Sequence, residues 1–240
     1  MKIIAHRGYS GLYPENTMLA FDKAAEAGAG EIELDVQMSK DGVVVVYHDE
    51  GLERLTGQEG FLKDFNFGDL KKLNVSKMVY GDKYGFNPMP SLDEYLGWVK
   101  NTGIATNIEL KNSRIYYEGL EEKTIELVIK HGLEEKVYFS SFLHLSLIKC
   151  KKINPAIPCG ALLHIPLGKA GYFVRTNGLD YFHPEIKTLT EETAASCAEQ
   201  GVGINVWTVN DMPGLYKAKS LNCRGIITDF PDIAKAYFGA

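Results

Sequence analysis

Short apolar runs alternate with amphipathic segments along the whole chain, and the two kinds of segment differ in their period. Glu31 to Met38 carries an apolar residue at every second position, which is typical of a β-strand. Asn16 to Ala27 carries apolar residues at helical spacing and is followed by Gly28, which predicts an α-helix. The Asp41-Gly42 pair then predicts a hairpin turn into another extended run, Val43 to Tyr47.

The same alternation continues through the second half of the chain. Strands are predicted at Lys2 to Ala5, Ala105 to Leu110, Val137 to Ser140, Ile157 to Leu162, Tyr181-Phe182, Gly203 to Trp207 and Gly225 to Ile227. Helices are predicted at Leu120 to Lys130, Leu143 to Lys152, Glu191 to Gln200, Pro213 to Lys219 and Asp232 to Phe238. Repeated strand–helix units over this length predict an α/β fold, a (β/α)8 TIM barrel, with a doubly wound open sheet as the alternative.

Residues 51–90 depart from this pattern because they contain aromatic and turn residues without sustained periodicity. They predict a small insertion after the second strand region, on the rim of the barrel, with a short helix around Phe67 to Leu73. We expect its aromatic residues to pack in a core of the insertion rather than against a ligand. No Pro-, Gly- or Ser-rich linker divides the chain, so residues 1–240 are expected to form a single TIM-barrel domain.

The composition disfavours several classes of protein. Apolar residues make up 45% and charged residues 24%, as in globular proteins, and the net charge of -5 disfavours a nucleic-acid partner. The four cysteines lack the spacing of a zinc cluster, and no stretch approaches the roughly 20 apolar residues of a membrane span. We therefore expect a soluble cytoplasmic protein with a small-molecule substrate and no stable membrane association; a homodimer is left open.

Carboxylates on two predicted strands indicate a cation site. Glu33 and Asp35 lie two residues apart on one strand, so both side chains project from its polar face. Inside a barrel these carboxylates repel each other unless a cation or protons neutralise them. Glu109 ends another strand, and Lys111 on the same face would bind a phosphate oxygen. Oxygen ligands suit Mg²⁺ or Ca²⁺ better than zinc; a solvent-facing edge strand, or an ordinary Glu–Lys pair, is the structural alternative.

Two histidines follow apolar strands and predict acid–base chemistry. His6 and His48 each lie next to the strand that carries the paired carboxylates, and two histidines in one cleft can act as general acid and general base. The planar fork of Arg7 suits phosphate oxygens. Trp207 ends a later strand, where it would form either the apolar wall of a pocket or part of the barrel core.

Two further acidic residues, Glu15 and Asp49, each have two possible roles. Glu15, near the start of the first helix, would be a further metal ligand or a structural one. Asp49 would either orient the segment of His48 or cap a helix, and the pattern favours neither. The remaining histidines lack matched partners and are expected to be structural or surface residues: His131, His144, His164 and His183.

Taken together, six motifs resemble the glycerophosphodiester phosphodiesterase family, in the order of that family and over nearly the whole chain. They are His6-Arg7-Gly8, Pro14-Glu15-Asn16-Thr17, Glu33-Leu34-Asp35-Val36, Asp41-Gly42 with His48-Asp49, Glu109-Leu110-Lys111 and Val206-Trp207-Thr208-Val209-Asn210. Each motif is weak alone, but six in register are specific. The resemblance implies a TIM barrel, a bound divalent cation and hydrolysis of glycerophosphodiesters to sn-glycerol 3-phosphate and an alcohol.

The resemblance also assigns roles to individual residues. It implies that His6 and His48 are the acid–base pair and that the metal ligands are Glu33, Asp35 and Glu109. It further implies that Arg7 and Lys111 hold phosphate and that Trp207 lines the glycerol side. The residues do not identify the native metal. They also do not show whether the attacking oxygen belongs to water or to a neighbouring glycerol hydroxyl.

Three alternative functions remain at this stage. One is a related barrel phosphodiesterase that acts on intact lysophospholipids or sphingomyelin, with the aromatic residues of the insertion as an apolar rim. Another is a glycoside hydrolase that pairs Glu33 or Asp35 with Glu109. The third is a non-catalytic protein that binds a metal or phosphate.

Overall fold

Eight parallel strands close into a barrel in the computed structural model of the chain, which describes residues 1–239. With β3, which lies outside the barrel, the described chain has nine strands: β1 Lys2–His6, β2 Glu31–Met38, β3 Val44–Val46, β4 Ala105–Leu110, β5 Val137–Ser141, β6 Cys159–Leu163, β7 Tyr181–Pro184, β8 Gly203–Val206 and β9 Gly225–Thr228. Pairing of β1 with both β9 and β2 closes the barrel, and β3 lies antiparallel to β2 outside it. The predicted TIM barrel is confirmed, and the open-sheet alternative is wrong.

Helices cover the outer face of the barrel. The helices of the chain are α1 Met18–Glu26, α2 Glu53–Thr56, α3 Phe67–Leu70, α4 Lys77–Tyr80, α5 Leu92–Val99, α6 Leu120–His131, α7 His144–Ile153, α8 Ala170–Thr176, α9 Glu191–Glu199, α10 Met212–Ser220 and α11 Pro231–Phe238. Of these, the single-turn helices α2, α3 and α4 belong to the insertion and not to the barrel. Within residues 1–239, no helix combines the length and the apolar character needed to cross a bilayer.

Four of these helices were not predicted from the pattern: the single-turn α2 and α4 of the insertion, and α5 and α8 of the barrel. The start of α5 is nevertheless encoded locally, because the hydroxyl of Ser91 accepts from the backbone N–H of Glu94 while the Glu94 carboxylate accepts from the backbone N–H of Ser91. This capping box is visible in the sequence as Ser-x-x-Glu. α8 is short and contains Gly171 and the β-branched Val174, which weaken the helical signal.

The strand β2 separates apolar from charged side chains as its alternating pattern predicts. Ile32, Leu34 and Val36 are fully buried in the main hydrophobic core. Glu33 and Asp35 on the other face are 3% and 1% exposed. Because β2 pairs with β1 on one side and β4 on the other, it is not an edge strand, and the solvent-facing alternative is wrong.

A hairpin returns the chain from the end of β2 to the mouth of the barrel. β2 extends past its barrel neighbours, and Val36 to Met38 pair antiparallel with β3. Gly42 in the turn has φ +80°, a conformation that glycine adopts without strain. The backbone N–H of Tyr47 then donates to the carbonyl of Asp35 at 3.0 Å, which brings the following residue, His48, to the level of the β2 carboxylates.

Residues 51–90 run between β3 and α5 and contain three single-turn helices and one 3-10 turn, Leu62–Asp64. Apolar residues of this segment form a mainly aliphatic cluster with Val45 and Tyr47, which precede it: Leu52, Leu55, Leu62, Leu70, Val75 and Met89. Phe65 and Phe67 pack against this cluster, whereas Phe61 and Phe86 are 51% and 59% exposed. The expectation that the aromatic residues form a core of their own is therefore only partly met.

A polar layer closes the barrel at the amino-terminal ends of its strands. The guanidinium of Arg224 pairs with the carboxylate of Glu31 at 2.8 Å and donates to Asn205 Oδ1 at 2.9 Å. The hydroxyl of Tyr138 donates to Glu31 at 2.8 Å, and Asn205 Nδ2 donates to His183 Nε2 at 3.0 Å. All five side chains are satisfied at least in part by one another, so the layer seals the bottom of the interior.

Acidification is expected to destabilise the barrel through His183. Burial, with a smaller effect of the Arg224 charge, lowers the pKa of His183 from 6.5 to about 3. Because folding favours the neutral ring, this stabilisation is complete above the unfolded pKa and is lost as pH falls from about 6.5 toward 3, by about 1.4 kcal/mol per pH unit. Urea unfolding should show a loss of about 2 kcal/mol between pH 7 and pH 5 that His183→Gln lacks; parallel losses in both proteins would contradict the assignment.

Candidate active site

A pocket of about 460 Å³ opens at the carboxyl-terminal ends of the barrel strands. In TIM barrels this face, formed by the loops that follow the strands, is where active sites lie. Seven of the predicted site residues line the pocket: His6, Arg7, Glu33, His48, Glu109, Lys111 and Trp207. Asp35, the remaining one, contacts both Arg7 and Lys111. The structure therefore brings all eight into one neighbourhood.

Strand register places the three carboxylates together. Glu33 lies beside His6 of β1, and Asp35 lies beside Glu109 of β4. Oxygen atoms of Glu33, Asp35 and Glu109 all lie within 4.8 Å of one another. Burial, followed by the charges of Asp35 and Glu109, raises the pKa of Glu33 well above its ordinary value. Part of this rise therefore comes from repulsion between Glu33 and the two neighbouring carboxylates.

Two cationic side chains offset part of that charge. Arg7 Nε lies 3.3 Å from Asp35 Oδ2, and Lys111 Nζ lies 2.9 Å from Glu109 Oε1 and 3.6 Å from Asp35 Oδ1. Burial alone would raise the pKa of Asp35, but the charges of His48, Arg7 and Lys111 together lower it. When the His48 ring is neutral, three carboxylates face two cations, which leaves one negative charge in excess.

The surplus charge and the chemistry of the donors fit a divalent cation. Asp35 Oδ1 is buried and has no hydrogen-bond partner in the described part of the chain, so a lone pair remains free for another ligand. The donors are all carboxylate oxygens, which Mg²⁺ and Ca²⁺ prefer. Glu33, Asp35 and Glu109 could therefore hold such an ion.

Each pocket histidine is hydrogen-bonded to a carboxylate through Nδ1. His6 Nδ1 lies 2.6 Å from Asp229 Oδ1, and His48 Nδ1 lies 2.6 Å from Asp49 Oδ1. Asp49 also accepts from Arg54, and the N-cap of α2 is Leu52, so Asp49 orients His48 and does not cap the helix. Of the two alternatives for Asp49, the orienting role is the one that the contacts support.

Asp229 was missed by the sequence analysis. It follows β9 directly, and an acidic residue at the carboxyl end of a barrel strand is the signal that could have identified it. Burial opposes ionisation of Asp229, but hydrogen bonds and charge from His6, with hydrogen bonds from Asn210 and Ser10, lower its pKa to about 2. The ionised carboxylate accepts a hydrogen bond from Nδ1–H, which leaves Nε2 of a neutral His6 ring with a lone pair that can accept a proton.

The loop after β1 has an uncommon backbone conformation at Arg7, which directs a backbone N–H to the carboxylate cluster. Arg7 has φ +55°, an uncommon conformation for a residue with a side chain, and its backbone N–H donates to Glu33 Oε2 at 3.0 Å. Gly8 follows with φ +81°, and a Cβ at this position would lie 2.7 Å from the backbone of Ala20. Only glycine permits this close approach of the loop to α1.

Glu15 and Asn16 hold this loop from the other side. Glu15 Oε1 accepts from Arg7 at 2.9 Å and from Arg54 at 2.8 Å, and it lies outside the carboxylate cluster. These contacts make Glu15 a structural partner of two arginines. Asn16 Nδ2 donates to Asp35 Oδ2 at 2.9 Å, a contact that was not predicted; the hydroxyl of Thr17 caps α1 instead.

Apolar side chains form the opposite wall of the pocket. Trp207 fixes its indole by donating from Nε1 to the carbonyl of His183 at 2.7 Å. Its ring packs edge to face with Phe142, with centroids 5.6 Å apart, and Leu162 and Ile227 complete this wall. Trp207 therefore lies in a pocket wall, and Phe142 is a further wall residue that the sequence analysis did not identify.

Comparison with known proteins places this site in a family. The model of the glycerophosphoryl diester phosphodiesterase family matches residues 6–233. A glycerophosphodiester phosphodiesterase of Bacillus altitudinis is 40% identical over 237 residues, which is 97% of this chain and 96% of that protein. A protein of the same name from Caldanaerobacter subterraneus is 37% identical over 230 residues, 96% of this chain and 94% of that one.

A solved structure agrees with these relatives. The Oleispira antarctica phosphodiesterase, determined in complex with the product sn-glycerol-3-phosphate, superposes with a TM-score of 0.89 at 26% identity, covering 100% of this chain and 97% of that one. The resemblance drawn from the six motifs is confirmed, and the glycoside hydrolase alternative is wrong. With a family match over nearly its whole length and relatives of this similarity, the chain belongs to the glycerophosphoryl diester phosphodiesterase family.

Proposed function

We propose that this phosphodiesterase hydrolyses glycerophosphodiesters to sn-glycerol 3-phosphate and an alcohol, with Mg²⁺ or Ca²⁺ bound by carboxylates and a His–His pair that transfers protons. The observation that carries the proposal is one pocket in which three carboxylates with surplus negative charge face two histidines, each backed by an aspartate. The product bound to the Oleispira enzyme supports the same product here.

Glu33, Asp35 and Glu109 would hold the cation. When bound, the cation would neutralise charge that grows on the phosphoryl oxygens. Arg7 and Lys111 contribute to the same stabilisation, because both line the pocket and burial keeps their charges effective. The charges of Glu109 and Asp35 raise the pKa of Lys111 although burial opposes this, so its ammonium stays protonated throughout the reaction.

His6 and His48 would move the protons of the reaction. One imidazole accepts the proton of the attacking oxygen as the new P–O bond forms, and the other donates a proton to the departing alkoxide as the old P–O bond breaks. Asp229 and Asp49 hold the two rings through Nδ1, so Nε2 is the nitrogen that exchanges protons in both cases. The aspartates also stabilise the imidazolium form that each proton transfer requires.

The apolar wall would receive the carbon skeleton of the substrate. Trp207 and Phe142 present ring surfaces to the pocket, opposite the charged side chains that would surround the phosphate. A glycerophosphodiester has the matching division between a charged diester and C–H groups of glycerol. We assign Trp207 to the glycerol side of the site.

The first test follows glycerophosphocholine by phosphorus NMR with Mg²⁺, with Ca²⁺ and after EDTA treatment. The expected product is sn-glycerol 3-phosphate, formed only with a divalent ion.

His6→Ala and His48→Ala should each lower kcat by roughly 10²–10⁴, since general acid–base catalysis contributes this much. A transient cyclic phosphate would identify the glycerol hydroxyl as the attacking group, and its absence would favour water.

His131 offers the matched control for these variants. Its Nε2 lies 2.7 Å from Asp93, so it is also a carboxylate-paired histidine, but it ends α6 and does not line the pocket. His131→Ala should therefore keep normal turnover. Near-normal turnover of folded His6→Ala and His48→Ala would show that the acid–base assignment is wrong, and lysophosphatidylcholine as the only substrate cleaved would replace the proposed substrate class.

Asp229→Asn tests the positioning of His6. The amide cannot accept and stabilise the Nδ1 proton as a carboxylate does, so kcat should fall by roughly 10²-fold with little change in KM. Asp93→Asn, which removes the partner of His131, is the control; equal losses in both variants would point to folding instead of positioning.

A further inference from the structure

The floor of the catalytic pocket contains polar atoms without partners. Asn107 and Ser140 are 1% and 0% exposed, and both line the pocket. Within residues 1–239, Asn107 Nδ2, Asn107 Oδ1 and Ser140 Oγ make no hydrogen bond. Three donor or acceptor atoms therefore converge on one cavity wall with their hydrogen-bonding capacity unused.

Burying polar atoms without hydrogen-bond partners destabilises the folded protein unless a ligand or a water molecule binds them. A buried donor or acceptor without a partner costs about 1–3 kcal/mol, and native proteins leave few of them unsatisfied. The neighbouring polar side chains of the barrel show the contrast, since Asn205 and Tyr138 in the sealing layer both find protein partners. Asn107 and Ser140 differ from them in that both residues line the catalytic pocket.

Strand register fixes where these two side chains lie. Asn107 is beside Glu33, and Ser140 is beside Glu109, on adjacent strands β4 and β5. They are therefore immediate neighbours of the carboxylate cluster. The layer of Glu31, Tyr138 and His183 beneath them does not line the pocket, so the cavity ends blindly at this level.

The two sides of the floor differ in chemistry. Asn107 and Ser140 offer hydrogen bonds from β4 and β5, whereas Leu162 and Ile227 from β6 and β9 offer apolar contacts. A short polyol has the same division, with hydroxyl groups along one side of its carbon chain and C–H groups along the other. Each hydroxyl both donates and accepts, which matches an amide and a hydroxyl partner.

We propose that Asn107 and Ser140 form a subsite that binds the hydroxyl groups of the glycerol moiety and makes the enzyme selective for diesters that carry them. This inference rests on the proposed function, because it concerns the same pocket. A site that hydrogen-bonds a substrate hydroxyl rejects analogues without it, since its own polar atoms then stay unpaired. The subsite thus separates glycerol diesters from simple alkyl or aryl diesters.

Product affinity tests the subsite without turnover. Calorimetric titration of Ser140→Ala and Asn107→Ala should show binding of sn-glycerol 3-phosphate weakened by about 10- to 100-fold, the loss expected for one hydrogen bond in a buried site. Inorganic phosphate, which lacks the glycerol, should bind all three proteins with similar affinity. Unchanged affinity for sn-glycerol 3-phosphate in both variants would overturn the proposal. Asn107 and Ser140 would then hydrogen-bond only to ordered water.

Selectivity in turnover gives the second readout. Ser140→Ala should lower kcat/KM for glycerophosphocholine by about 10- to 100-fold and leave bis(4-nitrophenyl) phosphate, a diester without hydroxyls, nearly unchanged. An equal loss for both substrates would overturn the subsite while the proposed function stood. Failure of the wild-type enzyme to hydrolyse glycerophosphocholine would count against the proposed function, and the product titration would still decide the subsite.

Thr124 supplies the control for removal of a buried hydroxyl. Its Oγ1 is buried in α6 and is likewise unpartnered in the described structure, but it lies outside the pocket. Thr124→Val should leave both substrates unaffected. Ser140→Ala should keep or raise the melting temperature, because it removes an unsatisfied group; a lower melting temperature with equal loss on both substrates would indicate a structural role.

Discussion

Repulsion among the buried carboxylates Glu33, Asp35 and Glu109 is the constraint on which the rest of the site depends. Burial strengthens that repulsion, and it is only partly offset by Arg7 and Lys111. Burial and this repulsion together raise the pKa of Glu33, and Asp35 Oδ1 has no hydrogen-bond partner in the described part of the chain. A divalent cation would relieve the repulsion, and the proposed site then places its positive charge where a phosphodiester needs it.

The barrel supplies the rigid geometry that makes this arrangement possible. Parallel register sets His6, Glu33 and Glu109 on neighbouring strands, and the β2–β3 hairpin returns His48 to the same level. The pocket is therefore polar on the side of β1, β2 and β4 and apolar on the side of Trp207. This division, rather than any single residue, is what suits the proposed substrate, a charged diester joined to a carbon chain.

Local pattern was enough to predict most of the fold and much of the site. The period-two alternation of β2 predicted both its buried face and the inward carboxylates, because a strand alternates its side chains by geometry alone. Long-range pairing was not predictable in the same way: Asp229 contacts His6 across 223 positions of the chain. The unpartnered state of Asn107 was equally inaccessible, since it depends on which neighbours fail to reach it. Helix α5 could have been predicted, because the Ser-x-x-Glu pattern of its capping box is visible in the sequence.

Calorimetric titration of the metal-free protein with Mg²⁺ and Ca²⁺ tests the central claim most directly. The account predicts one divalent ion bound per chain, with an affinity that Asp35→Asn lowers at least about 10-fold, since it removes a ligand charge from the cluster. Glu15→Gln, which changes a nearby carboxylate outside the cluster, should bind the ion nearly as well. Absence of binding, or equal affinity in the wild type and Asp35→Asn, would contradict the account.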